Sequence, residues 1–600
     1  MKSQDDQPPD TGRRTFVGAG AALLGAQFLP DRASAAVTNG PGARPAPAGP
    51  APAGPPPGYN ILFVLVDQEH FFERWPFPVP GREWLRKNGI AFLNHQAAAC
   101  ACSPARSTLY TGHHIQHTGV FDNVNAPWQA NMATAVRTVG ARLAQLGYYP
   151  SYQGKWHLSH NLDTVADAVD APMATYRSII ESYGFKDFLG VGDIVDTTLG
   201  GYSYDASTAA FAARWLRTRG AQLNAGGSPW FLAVNLVNPH DVMYVDSDRP
   251  GETVQGRQTV EPIARPPADE IYKAHWNEPL PPTRHQPLDA AGRPFAHRVY
   301  QSVQDQLVGQ WPDEDRRWQL LRDYYYNCIR DGDRQVVATL DALRESGMAA
   351  KTIVVFTADH GELGGAHQMR GKGTCAYREQ THLPLIVVHP AYARGRTCRA
   401  LTSEIDLVPT LLALTGKAEG EVKAAQAGLP GRDFSVLLRS PERAGVDALR
   451  PATLFNFNML LYQDAAWIAR LEQYLRTPGL TGPQKAAWML QNEPDFKLRC
   501  GVRSAFDGRY RFSRYFAPLS FNTPATWEDL VANNDLELYD LAADPDETRN
   551  LASGAGAARE LVMAMNTKLN VRLAEEVGQD DGAFLPLRDG RWVLPSPGQR

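Results

Sequence analysis

Cysteine is scarce, with six in 600 residues, at positions 100, 102, 328, 375, 398 and 500. They are too few and too scattered for a disulfide framework, and none pair at metal-binding spacing. A basic excess is missing as well. The net charge is −4, so no sequence-wide positive field exists to neutralise nucleic-acid phosphates, and any anion chemistry must come from a local pocket. Apolar runs are short, which excludes a permanent membrane anchor, and no internal repeats occur. What remains, 43% hydrophobic and 21% charged residues, is the composition of a soluble globular enzyme large enough for two domains.

The N-terminus carries Gly12-Arg13-Arg14-Thr15-Phe16-Val17, then an apolar run to Leu29 and the small-residue pattern Ala33-Ser34-Ala35. This order resembles a twin-arginine export signal over residues 1–36, predicting a periplasmic or extracellular protein with no integral membrane segment after signal removal. Residues 37–58 are almost all Ala, Pro and Gly and read as a flexible linker.

Two apolar runs end abruptly in polar residues: Asn60–Val66 before Asp67-Gln68, and Thr352–Ala358 before Asp359-His360. Runs apolar at every position suit strands buried on both faces of a parallel sheet, whose ligands collect beyond the carboxyl ends. Asp67 and Asp359 on one edge would offer oxygen ligands to a hard divalent cation. Trp230–Asn235 is a third such strand and delivers His240. Lys155 and His157, two residues apart after Tyr149–Gly154, are expected on one face of a strand, bracketing an anion. Cys102-Ser103-Pro104-Ala105-Arg106 reads as the start of a helix stopped by Gly112. There Cys102 faces unpaired N–H groups and Arg106 can clamp an anion. The glycines of 361–371 permit a tight loop that returns Lys372 to the same place.

Cys102-x-Pro104-x-Arg106 with Ser107, Leu109, Thr111 and Gly112, Gly154-Lys155-Trp156-His157, Asn238-Pro239-His240 and Leu536–Leu541 with Asp544-Pro545-Asp546-Glu547 together resemble the formylglycine-dependent (type I) sulfatases of the alkaline-phosphatase-like superfamily, in family order. The resemblance implies that a formylglycine-generating enzyme converts Cys102 to Cα-formylglycine (3-oxoalanine). It implies that Asp67, Gln68, residue 102, Asp359 and His360 bind Ca²⁺, and that Arg106, Lys155, His157, His240 and Lys372 surround the sulfate of a small-molecule or sugar sulfate ester. Two positions depart from the common pattern. Gln68 stands where many relatives have Asp, and His360 where many have Asn, a combination also seen in choline-sulfatase-like enzymes and phosphonate monoester hydrolases; imidazole shifts the metal preference toward Mn²⁺, with Mg²⁺ a further option. The rival readings are a phosphonate or phosphate ester hydrolase on the same scaffold, against which Lys155 and His157 argue, and a non-catalytic binder of sulfated glycans.

The expected architecture is α/β: a large, mostly parallel central sheet flanked by helices over 59–440, then a smaller antiparallel sheet with a helix over 441–600. Leu321–Gly347 reads as a long amphipathic helix, Leu498–Tyr515 as a hairpin turning at Asp507-Gly508, and 556–576 as the helix packed on the small sheet. Residues 245–315 show little periodicity and read as a long loop excursion. The aromatic-bearing stretches 241–320 and 455–500 read as pocket loops.

Overall fold

The computed structural model describes residues 57–160, 173–190, 193, 198–257, 259–554, 556–580, 587–588 and 591–594. The expected export signal, and the linker up to residue 56, lie outside the described residues. Seven strands form the main sheet: β1 (Asn60–Val66), β2 (Ile90–Gln96), β3 (Tyr149–Gly154), β4 (Trp230–Asn235), β5 (Thr352–Ala358), β6 (His382–Val388) and β7 (Arg396–Ser403), in the order β3-β4-β1-β5-β6-β2-β7. All neighbours are parallel except β6, which runs antiparallel to β5 and β2.

β1 shows why these runs are apolar throughout. Ile61, Phe63 and Leu65 enter one core with Tyr110, Tyr152 and Leu411. Leu62, Val64 and Val66 enter the other with Trp215, Val336 and Leu340. A strand between two cores has no solvent face, and each fully buried side chain stabilises by roughly 1.5–3 kcal/mol. The second core lies under α2 (Gly200–Trp215) and α4 (Asp315–Glu345), the latter longer than the stretch expected from 321.

The excursion is not structureless. α3 (Phe295–Val308) buries Ala296, Val299, Tyr300 and Val303, spaced as one helical face; the flanking prolines and charges hid this period. The stretch 455–500 likewise contains α6 (Ala465–Leu475) and a further helix, Gly482–Gln491. No disulfide joins any of the six cysteines, all of which are among the described residues.

The second sheet, β8 (Thr453–Phe457), β9 (Gly501–Phe506), β10 (Tyr510–Phe516) and β11 (Asp535–Asp540), is antiparallel throughout, with the hairpin turning at Gly508. It packs on α7 (Arg559–Glu576) through Leu454, Phe512, Leu538, Val562 and Leu569. Its edge touches the main fold just ahead of Cys102, where the Asn456 N–H donates to the Ala98 carbonyl at 2.9 Å.

Arg450 joins the two parts. Its buried guanidinium bonds the Asp406 carboxylate, ahead of α5 (Leu407–Ala413), and lies 2.8 Å from Glu576 Oε1 at the end of α7. Burial alone would raise Glu576, but Arg450, followed by His114 and Arg572, outweighs it and holds the carboxylate below the usual glutamate range. Removing one partner of a buried ion pair strands the others. Arg450→Met is expected to lower unfolding stability by about 3–5 kcal/mol in urea melts at pH 7. A carboxylate held low contributes stability above its unfolded pKa and loses it as pH falls through the folded one. The gap between variant and wild type therefore narrows below about pH 4.5.

Candidate active site

The site grows from strand register. β1 and β5 pair in parallel with Val66 opposite Ala358, so the next residues, Asp67 and Asp359, emerge side by side. Beyond the strand Gln68 turns sharply at φ 73°, and its N–H donates to Asp359 Oδ1 at 3.1 Å. β4 lies on the other side of β1 and ends at Asn235.

α1 (Cys102–Thr111) lies across these tips, ended by Gly112 at φ 72°, whose N–H donates to the Thr108 carbonyl at 2.8 Å. Cys102 is its first residue. The thiol Sγ lies 3.5 Å from Asp67 Oδ1, 3.2 Å from His360 Nε2 and 2.8 Å from Lys372 Nζ. One turn on, Arg106 reaches beneath the carboxylates, with Nη2 3.3 Å from Asp67 Oδ2 and Nε 3.1 Å from Asp359 Oδ2. Nη1 donates to the Lys155 carbonyl at 2.8 Å. Arg106 thus braces the carboxylates from behind.

Lys155 Nζ bonds Asp67 Oδ2 at 2.7 Å. The expectation that Lys155 and His157 share a strand face is corrected: β3 ends at Gly154, and both residues stand in the loop beyond it, His157 at φ 57°. Gly154 sits at φ 90°, where a Cβ would lie 2.0 Å from the Asn235 carbonyl oxygen, so only glycine lets the chain turn here. Three other hydrogen bonds fix the loop. Asp193 accepts the N–H groups of Trp156 and His157 at 2.7 Å each, and the Ser103 hydroxyl donates to the His157 carbonyl at 2.6 Å, which ties His157 to the residue beside Cys102.

His240 opens a short 3₁₀ turn beyond β4 and is buried. Its segment and the start of α2 hold each other: Asp205 accepts from the Val237 and Asn238 amides, and Asp241 from those of Gly201 and Tyr202, at 2.7–2.8 Å. Lys372 Nζ also donates to Gln68 Oε1 at 2.7 Å, and Gln68 Nε2 donates to Glu362. Gln68 is at the site, but both ends of its carboxamide are engaged within the protein. Glu362 further accepts from the Gly364 and Gly371 amides, shaping the loop that returns Lys372.

The donor set suits a divalent cation. Ligand atoms of Asp67, Cys102, Asp359 and His360 all lie within 4.8 Å of one another. His360 Nδ1 is 3.1 Å from the Gly361 carbonyl, which can only accept, so Nδ1 carries the proton and Nε2 presents a lone pair. Burial, then the charge of Lys372, holds His360 well below the usual histidine range and therefore neutral. Burial would raise Asp67, but Lys155, Lys372, His240 and Arg106 hold it well below the carboxylate range. Asp359 is pushed up to about 7 by burial and by the charge of Asp67. Two buried carboxylates so close relax when a cation sits between them. Arg106, Lys155 and Lys372 set three cationic groups against two carboxylates, leaving the pocket receptive to an oxyanion.

Residues 60–417, well over half of the chain, match the sulfatase family model. The chain belongs to the sulfatase family. Among curated relatives it is 25% identical over 400 residues to the uncharacterized sulfatase YidJ of Escherichia coli, covering 62% of this chain and 70% of that protein. It is 25% identical to arylsulfatase K of Danio rerio over 63% of this chain and 66% of the relative, just short of two thirds of that protein's length. A delta 4,5-hexuronate-2-O-sulfatase of Bacteroides thetaiotaomicron is 24% identical over 78% of each chain. The solved yidJ sulfatase of Bacteroides fragilis superposes with TM-score 0.57 at 20% identity, covering 90% of this chain and 100% of that one. A phosphonate monoester hydrolase of Agrobacterium radiobacter gives 0.56 at 20% identity with the same coverage. These superpositions carry the fold and not the substrate.

Two residues that hold the site, Asp193 and Asp205, carry no sequence signal of their own role. Asp193 lies in a glycine-flanked stretch without periodicity, and Asp205 sits inside a helix. Only Asn235, a polar residue closing an apolar strand, was conspicuous: its Oδ1 accepts from the Tyr110 hydroxyl at 2.5 Å and from Arg106 Nη1 at 3.3 Å.

A divalent cation at a hundred times its Kd is expected to stabilise the protein by about 2.7 kcal/mol, read as a rise in Tm. Asp359→Asn should abolish most of that rise while leaving the metal-free Tm close to wild type. An equal cation-induced rise in the variant would place the ion elsewhere.

Proposed function

We propose that this sulfatase hydrolyses sulfate esters through a Cα-formylglycine formed from Cys102 and a divalent cation held by Asp67, Asp359, His360 and residue 102. Ca²⁺ is the ion the family resemblance suggests, and the imidazole in the donor set favours testing Mn²⁺ and Mg²⁺ beside it. One observation carries the reading. The Cys102 Sγ, at the position an oxygen of the hydrated aldehyde would take, lies 2.8 Å from a lysine ammonium and beside the carboxylate and imidazole of a metal-type cluster. A hydrated aldehyde at residue 102 would supply the nucleophilic hydroxyl, and a cation held by Asp67, Asp359 and His360 would lower its pKa and share the charge of the ester oxygens.

The chain's own groups perform the remaining tasks. Lys372 and Lys155 stabilise the charge that develops on the sulfate oxygens, in positions fixed before substrate arrives. His240 is assigned the proton delivered to the departing alcohol or phenol, and His157 the proton withdrawn from the second hydroxyl of residue 102 as sulfate is released. Arg106 keeps the two carboxylates in register. Cys102 is 1% exposed, so the formylglycine-generating enzyme that acts on it meets the chain before folding closes. That order suits the twin-arginine route suggested by Gly12–Val17, which carries folded proteins to the periplasm or beyond. Among the described residues no helix is long and apolar enough to cross a membrane.

The test is a panel of aryl, alkyl, choline and sugar sulfates on metal-loaded enzyme, beside matched phosphate and phosphonate esters. Sulfate esters should be turned over with the higher kcat/KM; a preference for phosphonate esters would favour the rival on the same scaffold. Cys102→Ala should reduce kcat by about 10³-fold or more with Tm unchanged. Cys102→Ser has one hydroxyl, so it is expected to give at most a single turnover. The peptide spanning residue 102 should show the mass loss of thiol-to-aldehyde conversion, and an unmodified thiol in fully active enzyme would overturn the reading.

A further inference from the structure

The strand order brings one turn to the middle of the catalytic edge. β6 runs antiparallel to β5 and β2, so it begins at the edge where they end, and the residues that feed it, 377–382, arrive among the loops of the site. Four of those loops are fastened to this turn. The Ala97 N–H, ahead of Cys102, donates to the Thr381 carbonyl at 2.8 Å, and the Phe71 N–H, beyond Gln68, donates to the His382 carbonyl at 2.8 Å. The Gly361 N–H, next to His360, donates to the Gln380 carbonyl at 2.9 Å. The approach there is close, since a Cβ on Gly361 would lie 2.0 Å from the Glu379 carbonyl oxygen.

The fourth fastening is made by a side chain. Gln380 is fully buried, and its carboxamide brackets the residue after Lys372. Oε1 accepts the Gly373 N–H at 2.6 Å, while Nε2 donates to the carbonyls of Gly373 at 2.9 Å and Cys375 at 2.8 Å. On the other side of Lys372, Glu362 accepts the Gly371 N–H at 2.7 Å. The lysine thus stands between two pinned glycines, and its Nζ reaches Cys102 Sγ at 2.8 Å. The turn is itself held from behind by the second sheet. Glu547 accepts the Arg378 N–H at 2.7 Å, Glu537 accepts the Tyr377 hydroxyl at 2.8 Å, and the Arg511 guanidinium on β10 donates to the Ala376 carbonyl and the Thr381 hydroxyl. Both acids belong to the 536–547 stretch singled out in the sequence, and this turn is where that stretch meets the site.

We propose that Gln380 is the positioning residue that sets Lys372 against residue 102, and that the second sheet contributes to the site by holding the turn that carries it. The charge-stabilising role of Lys372 rests on the sulfatase reading. A lysine ammonium rides on a flexible four-carbon stem, so it is placed only as well as its backbone is. The neighbouring glycines have no side chain to pack, which leaves hydrogen bonds to their peptide groups as the means of holding them. One buried carboxamide satisfies three backbone polar groups here, and an apolar side chain of the same length satisfies none. A shift of about 1 Å at a group that stabilises charge in the transition state costs on the order of 10²-fold in rate.

The experiment compares wild type, Gln380→Met and, as a variant of similarly lowered stability, Leu569→Ala in the core beneath α7. Three measurements are made: kcat and KM for 4-nitrophenyl sulfate, calorimetric affinity for inorganic sulfate, and the rise in Tm caused by Mn²⁺. Gln380→Met should lose about 10–100-fold in kcat/KM, mostly in kcat, and bind sulfate about fivefold more weakly. Its Mn²⁺-induced rise should match wild type, because the Gly361 N–H beside His360 bonds the Gln380 backbone carbonyl, which the substitution keeps. Leu569→Ala should lower Tm while kcat/KM stays within about twofold of wild type. Gln380→Asn, which sets the same carboxamide one methylene back, stands in if the methionine variant does not fold, and should lose about threefold or more in kcat/KM. Unchanged kcat and sulfate affinity in the Gln380 variants, a Mn²⁺ response that falls along with activity, or an equal loss of turnover in Leu569→Ala would overturn the assignment. Should wild type cleave phosphonate esters and not sulfate esters, the sulfatase reading fails, and the same kcat comparison on the phosphonate ester still decides the role of Gln380.

Discussion

Two like charges held side by side in a buried place govern this structure. The in-register pairing of β1 with β5 forces Asp67 and Asp359 together at the sheet edge, where neither can be hydrated. Such a pair survives only with positive charge close by. Arg106 spans both carboxylates from below, and Lys155 and Lys372 reach Asp67 from the sides. Each partner comes from a different segment, so α1, the loop after β3 and the loop after β5 must all converge there. The requirement of charge balance at one edge thereby fixes the placement of distant parts of the chain.

A second device repeats around that edge. Carboxylates accept pairs of backbone N–H groups and hold loops where no regular structure would. Asp193 does this for Trp156 and His157, Asp205 for Val237 and Asn238, and Glu362 for Gly364 and Gly371. The side chains assigned to proton transfer and charge stabilisation thus stand on segments anchored before any ligand binds, and preorganised electrostatics depends on that.

The parts legible in the sequence were those set by local pattern. The double-sided burial of β1 and β5 shows as unbroken apolar runs, and the polar residue ending each run is the site residue itself. The start of α1 shows in Pro104 and its end in Gly112. What was hidden depends on tertiary contact. Lys155 and His157 looked like strand neighbours because their spacing is two; Gly154 turns the chain before them, and Asp193 rather than a sheet partner holds their backbone. α3 carries a clear helical face, yet prolines and charges on both sides masked it. Gln68 was readable as a residue of the site but not as one whose carboxamide is bound to Lys372 and Glu362, because those partners lie nearly half the chain away.

The account depends most on the convergence of Asp67, Asp359, His360 and residue 102 around a single ion. The direct measurement is an anomalous difference map from crystals of the mature protein grown with Mn²⁺. The account predicts one strong peak bonded to those four residues, at about 2.0–2.6 Å from the carboxylate oxygens, with residue 102 in aldehyde or hydrate form. A peak bound elsewhere, or a vacant cluster beside an intact thiol in active protein, would contradict it.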